Sequence, residues 1–131
     1  MTRRPWLYAA TAATCLAGWS AAATAAPLSA SNPFATESTL PYHAPRFDLI
    51  KDTDYQPALE QGMAEQAAEM DRIANSAEPA TFENTISAME RSGRLLDRTL
   101  ETFSGVYSAN TNPVLDKVQE VVGPKLSAHS L

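Results

Sequence analysis

The stretch TFENTISAMERSGRLLDRTLETFSGVYSANTN, Thr81–Asn112, decides how this chain folds. Its large apolar residues fall at Phe82, Ile86, Met89, Leu96, Leu100, Phe103 and Tyr107, with Gly93 in the one remaining slot. Steps that alternate between four and three residues put all of them on one face of a helix. The pattern predicts one long helix, capped by Thr81 and ending near Ala109. A mid-helix glycine costs about 1 kcal/mol relative to alanine. Gly93 on the buried stripe therefore predicts close approach of a neighbouring helix. On the opposite side Arg91, Arg94 and Arg98 alternate with Glu90, Asp97 and Glu101, which predicts a solvated, ion-paired face.

Helices on either side are expected to cover that stripe. Asp52, Thr53 and Asp54 offer caps and negative charge at the start of a helix running to Ala74. Pro57 sits in its first turn, where the missing N–H costs nothing. Tyr55, Leu59, Met63, Ala67, Met70 and Ile73 define its apolar side, and Pro79 prevents continuation. Asn112-Pro113 opens a third helix, with Leu115, Val118, Val121, Val122 and Leu126 inward. Gly123-Pro124 is expected to interrupt or kink it. The fold class is all-α: an extended proline-rich arm, residues 26–54, then three amphipathic helices in residues 55–131 forming an incomplete lobe. No cap or turn signal precedes Leu131, which reads as a truncation. Such a segment alone is expected to be helical, loosely packed and prone to associate.

The arm holds four of the nine prolines, at positions 27, 33, 41 and 45, and has no helical period. Phe34, Leu40, Tyr42, Phe47 and Ile50 are its expected anchors. Residues 1–25 read as a signal peptide: Arg3 and Arg4, an apolar run from Trp6 to Trp19, then Ala23-Thr24-Ala25 with cleavage after Ala25. The run is too short for a retained membrane anchor, which needs about 20 residues. Thr2 to Leu7 also resembles a twin-arginine motif, so general secretion and the twin-arginine route stay open. Either places the protein outside the cytoplasm, in the periplasm. Cys15 lies in the signal, so the mature chain has no cysteine and must hold together by packing.

Without Arg3 and Arg4, eight basic residues face fifteen acidic ones. That balance excludes nucleic acid as a partner, because no basic patch replaces phosphate counterions. Catalytic, cofactor and metal residues are assigned to none of these positions. His43 and His129 have 85 residues between them, neither with a carboxylate at ligand spacing, and both are expected to be structural or exposed. Glu65 and Glu69 lie one turn apart, a spacing that suits a solvated pair better than an acid/base pair. Asp48, Asp52 and Asp54 lack the glycine and closing glutamate of a calcium loop. The serines have no neighbouring base and no G-x-S-x-G.

Four pieces of text carry a resemblance: NPFATESTLPYHAPRFDLIKDTDYQPALEQGM (Asn32–Met63), EPATFENTI (Glu78–Ile86), SANTN (Ser108–Asn112) and PKLSAHS (Pro124–Ser130). In this order they resemble the N-terminal region of bacterial peptidyl-dipeptidases, the dipeptidyl carboxypeptidases among the thimet-oligopeptidase-like zinc metallopeptidases. The resemblance implies a mostly helical fold whose N-terminal lobe walls a deep channel, with zinc in the C-terminal part. It also implies short peptides as substrates, dipeptides released from their C-termini, and the rest of the peptidase chain as partner. The family's H-E-x-x-H motif does not occur here, so this chain alone is expected to be inactive. The alternative is a free-standing exported helical module that binds a partner or self-associates, the four-three spacing being compatible with a coiled-coil dimer.

Overall fold

The computed structural model describes residues 27–130; the signal-peptide assignment and Leu131 lie outside the described residues. Three helices carry the fold: α1 (Tyr55–Ala74), α2 (Arg94–Asn110) and α3 (Pro113–His129). Among the described residues there is no strand, and no helix is long and apolar enough to cross a membrane. The expected all-α architecture of an arm and three helices is therefore what the structure shows.

α1 and α3 start where their caps require. The Asp54 carboxylate accepts the Lys51 N–H at 2.8 Å in a 3-10 turn, Asp52–Asp54, that leads directly into α1. Asn112 Oδ1 accepts the N–H groups of Val114 and Leu115 at 2.9 and 3.1 Å, and its Nδ2 donates to Asp52 at 2.9 Å. One side chain thus caps α3 and ties it to the start of α1. Further along, Lys125 donates to Glu60 at 2.5 Å. That bond holds the Glu60 carboxyl below the usual range.

The core lies between the first half of α1, all of α2 and the inner face of α3. Tyr55, Ala58, Leu59, Met63, Leu95, Leu96, Phe103, Leu115, Val118 and Val122 are buried there with Phe34 from the arm. Phe34, Tyr55, Phe103 and Tyr107 form a file of rings with successive centroids 5.5, 5.4 and 5.5 Å apart, the spacing at which tilted and offset pairs attract. Gly62 lets α1 and α2 touch backbone to backbone. A Cβ there would lie 2.8 Å from both Leu96 Cα and Leu96 N.

The expected single helix from Thr81 to Ala109 is not formed. Phe82–Ser87 winds as a wide π-type turn and Ala88–Glu90 as a short α-turn. The chain then reverses hand at Gly93 (φ 75°) before α2 begins. Glycine adopts that conformation at no steric cost. Glu69 of α1 accepts the Gly93 N–H at 2.8 Å and fixes the break. Close approach at Gly93 is real nonetheless, since a Cβ there would lie 2.3 Å from Gln66 Nε2. The break divides the apolar stripe. Leu96 and Phe103 enter the core, whereas Phe82, Ile86 and Met89 are 73%, 45% and 42% exposed.

Three further expectations are corrected. α3 runs through Gly123-Pro124 as one helix, so the expected interruption does not occur. The α1 stripe is buried only as far as Met63, and Met70 is 38% exposed. The arm coils into 3-10 turns at Pro33–Ala35 and Pro41–His43. Of its anchors Phe34 is buried and Ile50 half-buried, while Leu40, Tyr42 and Phe47 stay exposed.

Candidate functional site

A concavity lined by polar and charged groups lies where the arm crosses α2. Asn32 starts the crossing: its Oδ1 accepts the Phe34 N–H at 2.9 Å, and its Nδ2 donates to the Asp54 carbonyl at 3.0 Å. Phe34 then inserts beside Tyr55. Arg98 of α2 donates from Nη2 to the Phe34 carbonyl at 2.7 Å, clamping the arm from below. A groove of about 350 Å³ remains between arm and helix, with Glu37, His43 and Arg46 on one bank and Glu90, Arg94 and Asp97 on the other.

The groove's charges are not arranged as an ion-paired surface. Among the described residues, Glu90, Arg94, Asp97, Arg98 and Glu101 form no ion pair within 4 Å. Arg91 reaches back to Glu83 at 2.8 Å instead. Arg98 is half-buried, and its Nε lies buried without a partner. On the arm, Arg46 grips Asp48 through two bonds of 2.8 and 2.7 Å, which holds the Asp48 carboxyl below its usual range.

The residues singled out in the sequence are dispersed. His43 is exposed, with Nδ1 3.0 Å from the Ser38 carbonyl oxygen and 3.7 Å from Glu37. His129 is held by Gln66 at 2.7 Å. Glu65 accepts from Gln61 at 3.0 Å while Glu69 binds the Gly93 amide, so the two do not act on a common proton. Asp48, Asp52 and Asp54 each answer a different partner and share no cation site. Sequence reasoning missed the Arg98 clamp and the Glu69 brace. Both act on backbone atoms of distant residues, which carry no side-chain signature.

Comparison with known proteins gives the chain a context. It is 40% identical over 99 residues to the dipeptidyl carboxypeptidase of Salmonella typhimurium and 42% identical over 96 residues to that of Escherichia coli. The chain matches part of a dipeptidyl carboxypeptidase. The matches cover 76% and 73% of this chain but only 15% and 14% of the relatives' length. No protein-family profile matches it.

A zinc ion is the cofactor that the resemblance implies. The residues described here do not fit one. Among them no three of His, Cys, Asp and Glu converge, and the two histidines sit on different elements, His43 in the arm and His129 at the end of α3. A catalytic zinc site needs three protein ligands and an open position.

Proposed function

We propose that this chain is the non-catalytic N-terminal part of an exported zinc peptidase that releases dipeptides from the C-termini of short peptides. Identity of 40% over 99 residues with a dipeptidyl carboxypeptidase carries the proposal. The zinc, the H-E-x-x-H helix and the metal-activated water belong in this reading to the remaining part of the longer polypeptide. The segment's own work is to wall the substrate channel. The polar bank of α2, with charges left without ionic partners, suits a wet wall that peptides pass. Arg3, Arg4 and Ala23-Thr24-Ala25 supply the export signal.

The test is to express the whole gene product and follow release of C-terminal dipeptides from an N-blocked peptide. Release is expected from the full product, lost with a chelator and restored by zinc, and absent from residues 26–131 alone. Turnover by the 131-residue chain alone overturns the inert-wall assignment. A full product without dipeptide release overturns the peptidase assignment. Mass spectrometry of the periplasmic fraction should find the mature N-terminus at Ala26; retention of residues 1–25 refutes the export signal.

A further inference from the structure

The outward-turned half of the apolar stripe is built with unusual care. Thr81 Oγ1 accepts the Asn84 N–H at 3.1 Å, Asn84 Oδ1 accepts the Thr81 N–H at 2.8 Å, and Asn84 Nδ2 donates to the Pro79 carbonyl at 2.9 Å. This reciprocal capping box fixes the backbone on both sides of Phe82, yet the ring it positions is 73% exposed. Ile86 and Met89 follow on the same segment. Met70 and Ile73, from the uncovered half of α1, share a cleft of about 340 Å³ with Met89, while Phe82 and Ile86 stand exposed on the same segment outside it. Ser92 Oγ, 3.7 Å from Met70 Sδ, and Glu69, on the Gly93 amide, brace the two elements against each other. Large apolar groups held in a fixed array, at the cost of their burial, are the mark of a surface made to be covered.

We infer that Phe82, Ile86, Met89 and Met70 form the seam through which this segment docks onto the remainder of the longer peptidase polypeptide. The inference rests on the proposed function. The occupant follows from length and charge. About 85% of the relatives' length has no counterpart here, and in the proposed reading that remainder is joined to this segment in one polypeptide. Glu78 lines the cleft without an ionic partner among the described residues, whereas Glu83 is already paired with Arg91. The covering surface is therefore an apolar patch with a cation opposite Glu78.

Hydrogen exchange in the full polypeptide and in the 131-residue chain separates the possibilities. Amides 85–90 are expected to exchange about tenfold or more slowly in the full polypeptide, because covering the seam suppresses local opening. Phe82→Ser should abolish that difference. Val114→Ser, which removes an apolar group 44% exposed at the start of α3, should leave it intact. Equal exchange in both proteins overturns the seam, even where the full polypeptide is an active peptidase. A full polypeptide without dipeptide release but with the protection difference defeats the parent reading and leaves the seam standing. Sedimentation of the 131-residue chain supplies the remaining control. A dimer in which Phe82→Ser abolishes both association and protection assigns the seam to a second copy and overturns the inference.

Discussion

Adding one methyl group at Gly62 should unfold this segment at lower temperature, and adding the same group at Gly105 should do the reverse. A Cβ on Gly62 meets Leu96 Cα and Leu96 N at 2.8 Å and Leu96 Cβ at 3.0 Å. Carbon atoms attract best at about 3.5–4.0 Å, so α1 and α2 must part by roughly 0.7–1 Å. No rotamer change relieves a collision with backbone atoms. A gap of that width forfeits about a quarter to a half of each contact's attraction along the seam of Leu59, Met63, Leu95 and Leu96. Overpacking costs about 1–3 kcal/mol, and a backbone collision belongs in the upper half of that range. Replacing glycine in a helix returns about 1 kcal/mol, leaving a net loss of about 1–2 kcal/mol. At Gly105 nothing lies within 4 Å of the added group, so only the helix term remains, a gain of about 0.5–1 kcal/mol. For a domain of about 100 residues, each kcal/mol moves Tm by about 4–8 °C. Thermal melts followed by far-ultraviolet circular dichroism should place the two variants on opposite sides of the parent, about 6 °C or more apart. If Gly62→Ala melts as high as Gly105→Ala, the two helices do not meet at Leu96 and the packing described here is wrong.

Gly93→Ala should cost about 1–2 kcal/mol, because φ is 75° there and alanine resists the left-handed region. Gly93→Asn should lose less, since asparagine tolerates that region better; equal losses in urea melts would contradict a left-handed break. Asn112→Ala removes the cap of α3 and its tie to Asp52. A loss of about 1–2 kcal/mol is expected, with no change meaning that α3 starts elsewhere. Tyr55 gives the pH prediction. Burial, then the nearby Asp52 and Asp54, raise its pKa above the ordinary value of 10.0. A raised folded pKa means stability fully present below the unfolded value and lost as pH climbs from there through the folded one. Tyr55→Phe should therefore flatten the fall in stability above about pH 10, and an unchanged alkaline limb would refute the assignment.

Much of the architecture was legible because caps and prolines act locally. Asn112-Pro113 begins α3, and Pro57 in the first turn marks α1, for reasons contained within four residues. The stripe from Phe82 to Tyr107 misled because its period survives the break. Residues on both sides of Gly93 keep the helical count, and a left-handed glycine changes direction without changing spacing. Counting Gly93 as a propensity cost overlooked its second option, which the Glu69 carboxylate selects from 24 residues away. The arm shows the same limit. Five apolar side chains were equivalent by composition, yet only Phe34 and Ile50 reach the packed side, because Arg98 and Asn32 fasten the backbone close to Phe34. The groove over α2 depends on those two long-range bonds, so its outline was absent from any local pattern.

The division of that stripe also bears on how the segment works. A continuous helix would have carried Phe82, Ile86 and Met89 along the same line as Leu96 and Phe103, and one neighbour would have covered them all. The turn at residues 91–93 instead gives the chain two apolar faces with different destinations. One closes an internal core of buried residues from the arm and all three helices. The other is locked open by Asn84 and Thr81. A segment with its own core and a separate rigid seam can keep its shape while attached to a larger body, as the proposed role would require.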